Sequence, residues 1–200
     1  MIIFTIFALL IMLAISLQPF PTLSTERLLL REITEDDVVD LFKLQSNVQV
    51  MKHIALPLKT VEDAAAKIKF YQELLSKQEA INWAITLKPD TKLTGIILLK
   101  AIDCKNHRAE VGYMLHPDFW RKGIAQEALT CILDFAFNKL HFHSLEAVID
   151  PYNIASEKIL EKNGFVKEGH FKENYLLGDT FLDSGVYSLL KSDYKRLGKF

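Results

Sequence analysis

The sequence predicts a mixed α/β (α+β) domain in which a mixed sheet carries helices on both faces. Three observations predict it. Strand-like apolar runs alternate with helical patterns along most of the chain. Between residues 82 and 116 three strand-like runs follow one another with no helix between them, which argues against a doubly wound parallel sheet. Half of the 200 residues are hydrophobic, so a single domain of this length can bury a sizeable core.

Residues 1–17, MIIFTIFALLIMLAISL, hold no charged side chain, and the first charge in the chain is Glu26. That length lies at the bottom of the transmembrane range of roughly 17–25 residues. Three readings stay open: a dispensable extension or misassigned start, a membrane anchor, or a signal peptide cleaved near Ala14-Ile15-Ser16. Arg27 and Arg31 follow the segment, so an anchor would leave the main domain on the cytoplasmic side. Residues 18–24, with Pro19 and Pro21, read as a linker, and 25–197 as the main domain.

ERLLLREI (26–33) is a first strand. Thr34 followed by Asp37 resembles a capping box and opens a helix with Val38, Leu41, Phe42 and Gln45 at helical spacing. Thr60 with Asp63 opens a second helix, which places Ala64, Ile68, Tyr71 and Leu75 on one face. NWAITL and LTGIILLK are strands joined by a turn at Pro89-Asp90, and HRAEVGYMLH (107–116) is a third, ended by Pro117. A helix then runs to about Leu140 with Ile124, Ala128, Cys131, Ile132 and Phe135 on one face. SLEAVID (144–150) is a strand, and Asn153 to Lys162 a helix stopped by Asn163-Gly164. FVKEGHF and FLDSGVYSLL close the chain as two strands.

Composition bounds the function. A formal net charge of −1 and a pI near 6.6 argue against a nucleic-acid partner. Cys104 and Cys131 form no C-x-x-C pair and read as buried free thiols in a reducing compartment. His141-x-His143 has no evident third ligand, so no metal is expected. Trp83 reads as a core residue rather than a pocket wall. Nothing in the sequence chooses between monomer and homodimer.

The stretch FWRKGIAQEA (119–128) carries the chemistry. The first turn of a helix presents unpaired N–H groups at the positive end of the dipole and binds anions. Gly123 lets the backbone approach a ligand, Ala125 adds only a methyl, and Arg121 and Lys122 add charge. The stretch matches neither G-x-x-x-x-G-K-[ST] nor G-x-G-x-x-G.

Taken with EVGYMLHPDF before it and DPYNIASEKILEKNGF after it, the pattern W-x-x-G-x-A resembles the GCN5-related N-acetyltransferase (GNAT) superfamily. The resemblance is narrower to the branch of ribosomal-protein alanine and serine N-acetyltransferases, and it runs from about Thr25 to YSLLKSDY. It implies a mixed, mostly antiparallel central sheet of about seven strands and acetyl-CoA as cosubstrate. It implies that Arg121, Lys122, Gly123, Ile124 and Ala125 cradle the coenzyme's diphosphate with backbone amides. By the same resemblance, Met114 and Leu115 lie on a splayed strand along the pantetheine, and Asn153 contacts the cofactor arm.

Two departures stand out. Trp120 replaces the superfamily's usual Gln or Arg, and Leu160 replaces a tyrosine that serves many members as general acid. A thiolate leaving group, with an ordinary thiol pKa of about 8.5, tolerates that loss. The base is the harder requirement, and Glu110 is the candidate, acting through a water. A backbone N–H near Leu115 is expected to hold the oxyanion. The expected reaction is direct acetyl transfer to an amine, foremost a protein N-terminal α-amine; a small amine such as a polyamine, amino sugar or antibiotic, or a non-catalytic acyl-CoA-binding module, are the rivals.

Overall fold

A computed structural model describes residue 13, residues 15–196 and residue 198. Its sheet has eight strands: β1 (Leu23–Ser24), β2 (Leu28–Glu32), β3 (Ile81–Leu87), β4 (Gly95–Asp103), β5 (Arg108–Leu115), β6 (Ser144–Ile149), β7 (Val166–Leu177) and β8 (Thr180–Leu190). They lie in the order β1-β2-β3-β4-β5-β6-β8-β7. Every neighbouring pair is antiparallel except β5 with β6. Six helices, α1 (Val38–Gln45), α2 (Val48–Met51), α3 (Val61–Ser76), α4 (Ile124–Asp134), α5 (Ile154–Lys162) and α6 (Lys191–Arg196), complete the domain.

Strand periodicity divides the interior into two cores. Trp83, Ile85, Ile97 and Leu99 point into a cluster with Ala128, Ile132 and Leu160 of α4 and α5. Ala84, Ile96 and Leu98, one residue out of phase, meet Leu41, Leu44, Ala64 and Ile68 of α1 and α3. Helices therefore cover both faces, as expected. The expected caps form: Thr60 and Asp63 make a reciprocal capping box, and Asp37 accepts from the Thr34 backbone N–H. Asp37 also takes a two-pronged bond from Arg31 at 2.7 and 2.8 Å, which ties the start of α1 to β2.

Several elements escape the sequence reading. The short α2 is capped by Asn47, which accepts from the backbone N–H groups of Gln49 and Val50. β1 and α6 are likewise additional, and α4 continues through a π-helical turn over Phe135–Lys139. Cys104 and Cys131 are free but only partly buried.

The membrane reading of residues 1–17 does not hold. Leu17 is fully buried in the larger core, and Leu13 and Ile15 pack against it. The Leu13 N–H donates to the Cys104 carbonyl at 2.9 Å. Residues 13 and 15–18 are not helical, and among the described residues no helix is long and apolar enough to cross a membrane. The end of the apolar segment thus completes the interior of the domain, where apolar side chains are as favourable as in lipid. Residues 1–12 and 14 of that segment lie outside the described residues.

Immediately after it, Phe20 and Phe135 meet the Trp83 ring edge-on at 6.0 and 5.8 Å, and Trp83 Nε1 donates to the Pro21 carbonyl. Trp83 is a core residue, and residues 17–21 close the floor beneath it. Leu17→Ala is expected to lower unfolding stability by about 2–4 kcal/mol in urea titrations of the full chain. An unchanged midpoint would mean that this segment contributes nothing to the core.

Candidate active site

β5 and β6 pair over only three positions, Arg108–Ser144, Ala109–Leu145 and Glu110–Glu146. Beyond Glu110, β5 continues with β4 as far as Leu115, while β6 continues with β8 as far as Ile149. The two parallel strands therefore part, and a cleft of about 840 Å³ opens between their C-terminal ends. Tyr113, Met114 and Leu115 line one wall, and Asn153 and Ser156 of the α5 start line the other. The Tyr113 hydroxyl donates across the gap to the Ser156 carbonyl at 3.3 Å. Burial pushes the Tyr113 phenol up to about 12, against the pull of that hydrogen bond, so it stays protonated.

Two helices aim their N-termini at this cleft. Asn153 caps α5 by accepting from the Ser156 N–H at 3.1 Å. Gly123 caps α4 with a left-handed backbone, φ 75°, and has no side chain to satisfy the first-turn N–H groups. Arg121 is left-handed as well, at φ 60°, a conformation that costs a non-glycine residue about 1–2 kcal/mol. Gly123, Ile124 and Ala125 line the cleft beside Arg121. Such a cradle fits a diphosphate.

The start of α4 is fixed from the turn between β1 and β2, which sequence reasoning missed. Glu127, in the first turn of α4, accepts from the Thr25 hydroxyl at 2.5 Å, from the Arg27 backbone N–H at 3.1 Å and from Arg27 Nε at 2.6 Å. The same guanidinium donates to the Lys122 carbonyl at 3.0 Å. Burial pushes the Glu127 carboxyl up, but these donors outweigh it and hold it below the usual carboxylate range. No spacing rule links residues 25 and 27 to residue 127.

The other expected residues divide. Met114, Leu115, Arg121, Gly123, Ile124, Ala125 and Asn153 meet at the cleft. Lys122 does not line it: its ammonium lies over the Phe119 ring at 5.6 Å. Glu110 stands at the fork of β5 and β6, bonded to Lys100 at 2.9 Å, and is not in the cleft lining. Burial raises its carboxyl above the ordinary range against the opposing effect of Lys100. Leu160 is wholly buried in the core and offers the cleft nothing.

Trp120 ties the loop to the strand end, donating from Nε1 to the Leu115 carbonyl at 2.7 Å. Neither cysteine lines the cleft, and burial pushes the Cys131 thiol up to about 11. Among the described residues no cluster of three or more His, Cys, Asp or Glu could hold a metal. One residue of the cleft lining had no sequence signal: His53, after α2, whose ring bonds Asp150, just beyond the end of β6 and behind the lining, at 2.6 Å.

Comparison with known proteins accords with this geometry. The profile of the Acetyltransferase (GNAT) domain matches residues 27–166. The chain is 34% identical over 173 residues to the uncharacterized N-acetyltransferase YoaA of Bacillus subtilis (strain 168), covering 86% of this chain and 98% of that protein. RimL, a ribosomal L7/L12 alpha-N-protein acetyltransferase solved with coenzyme A, shares the fold with a TM-score of 0.78 at 20% identity, over 85% of this chain and 98% of RimL. Spermidine N-acetyltransferase from Vibrio cholerae, solved with CoA and spermine, does so with a TM-score of 0.76 at 22% identity, over 86% and 99%. With a cleft between splayed strands, a glycine-capped helix start and a family profile across most of its length, the chain belongs to the GNAT family and is an acetyl-CoA-dependent N-acetyltransferase.

Proposed function

We propose that this enzyme acetylates a protein N-terminal α-amine, in keeping with its resemblance to the ribosomal-protein branch. The observation that carries the acceptor class is the charge of the cleft. The cations Lys52, Arg121, Lys158 and Lys162 contribute to its lining, and among the described residues no carboxylate does. A polyamine would bring further ammonium groups into that surface with nothing to receive them. A peptide N-terminus brings one amine, whose ordinary pKa of roughly 7.7–8.0 is far easier to deprotonate than a lysine-like amine at about 10.4.

In this reading the diphosphate of the donor is held by the amides of Gly123, Ile124 and Ala125, with Arg121 adding charge. The exposed backbone of β5 at Met114 and Leu115 lies along the pantetheine arm, and the Asn153 amide contacts it from α5. Transfer is direct, because no cysteine reaches the cleft. Arg27 and Glu127 act only by fixing the cradle.

Three measurements follow. Thiol release from acetyl-CoA should be fast with short peptides beginning in Ala or Ser and at least about tenfold slower, by kcat/KM, with spermidine or an amino sugar. Faster turnover of spermidine would overturn the acceptor class. Gly123→Val, which forces a β-branched side chain into a left-handed backbone, should weaken acetyl-CoA binding about tenfold or more in calorimetric titration. Lys122→Ala should change it by less than about threefold, since that side chain points to Phe119; equal effects would make the stretch an ordinary basic turn. Glu127→Gln should loosen the cradle and weaken binding by about tenfold while leaving the acceptor KM unchanged.

A further inference from the structure

The cleft contains a base that the Glu110 expectation did not include. We propose that His53 takes the proton from the acceptor's ammonium, and that Asp150 is the positioning residue that orients it. The inference rests on the reading above only in requiring an amine acceptor.

The geometry is specific. His53 Nδ1 lies 2.6 Å from Asp150 Oδ2, a short charge-assisted contact. A carboxylate that accepts from Nδ1–H fixes the tautomer and leaves Nε2 with its lone pair free to receive a proton. The pair joins two elements distant in the chain, the loop after α2 and the end of β6, at the point where β6 has left β5. Its side chains are 21% and 15% exposed, shielded from bulk water yet open to the cleft that His53 lines. Imidazole is the side chain most often used as a general acid or base. Glu110, by contrast, is held by Lys100 outside the cleft lining.

The titratable groups around this end are Lys52 on the same loop, Tyr113 of β5, Tyr152 of the β6–α5 turn and Lys158 of α5. Tyr175 of β7 also reaches the loop, its hydroxyl donating to the Ile54 carbonyl at 3.4 Å. Asp150 is the carboxylate in contact with the ring. The step balances as follows. Nε2 removes one proton from the ammonium, the neutral amine forms the new C–N bond, and the C–S bond breaks to release thiolate. The second nitrogen proton neutralises the thiolate, and the imidazolium returns its proton to solvent.

The test uses the full chain, acetyl-CoA and an Ala-initiated peptide, with kcat/KM followed from pH 5.5 to 9.5. His53→Ala should lower the neutral-pH value about 100-fold or more and leave a rate that simply rises with the amine's own deprotonation. Added imidazole should restore part of it. Asp150→Asn removes a negative charge that favours the imidazolium, so the acidic limb should move to lower pH. Acetyl-CoA binding should stay within about twofold of wild type in both variants.

A His53→Ala enzyme that keeps the wild-type rate and limb overturns the proposal, as does a Glu110→Gln enzyme that alone loses the limb. If His53→Ala does not fold, an unmoved limb in Asp150→Asn overturns it equally. Should spermidine rather than the peptide be the faster acceptor, the α-amine reading fails, and the same profiles run on spermidine still decide the role of His53.

Discussion

The parting of β5 from β6 is the constraint on which the site depends. Two parallel strands that stayed paired to their ends would fill the space the donor needs. Here pairing stops at Glu110, while β5 stays paired with β4 and β6 with β8 along their other edges. The stretch from Val111 to Leu115 then presents backbone polar groups along an edge inside the protein. Such groups are costly when buried without partners, so an edge of this kind is predisposed to pair with an extended, amide-bearing ligand. By omitting a few of its own hydrogen bonds the sheet opens the surface to which the proposed function assigns the donor.

A cleft formed this way has one weakness: the end at the start of α4 rests on a short loop between β5 and α4. That loop contains two left-handed residues and is capped by a glycine, so local preference alone would not hold it. The Glu127 carboxylate supplies the missing rigidity by gathering donors from Thr25 and Arg27, while Arg27 clamps the Lys122 carbonyl. Lys88 extends the network by donating to the Thr25 carbonyl. Strained backbone at Arg121 persists because its surroundings over-determine it. The cations that first draw attention in FWRKGIAQEA are thus less important than an acid four residues beyond the glycine and an arginine at the start of the domain.

Much of this was legible in the sequence, for reasons that differ by element. Thr34 and Thr60 announce their helices because capping is a local interaction within four residues. The strand pattern from Asn82 to His116 identified the antiparallel meander because alternation reports which side faces a core. The glycine-capped start of α4 was legible for the same reason as the caps. The Arg27–Glu127 clamp and the His53–Asp150 pair were not, since each joins residues about a hundred positions apart and no periodicity encodes such a meeting. The apolar segment before Gln18 misled in another way. Core and bilayer select the same side chains, and only the packing of Leu17 beneath the sheet distinguishes them.

The two cores also separate the tasks of the enzyme. β5 sends Val111 and Leu115 into the core shared with α4 and α5, and Met114 toward that shared with α1 and α3. On the second side, the buried Gln45 donates to the Tyr71 hydroxyl at 2.9 Å and to Met114 Sδ at 3.6 Å. The end of α1 is thereby anchored to the strand that flanks the donor, and α2 with His53 follows directly from that anchor. On the proposed assignment the donor would lie against α4, α5 and the Glu127 clamp, and the acceptor and its base on the α1–α2 side. The two sides share β5 and are also joined by the His53–Asp150 bond. No hydrogen bond of the Glu127 clamp passes through the α2 loop, so on the proposed assignment substitutions there would act on the acceptor side and leave the start of α4 undisturbed.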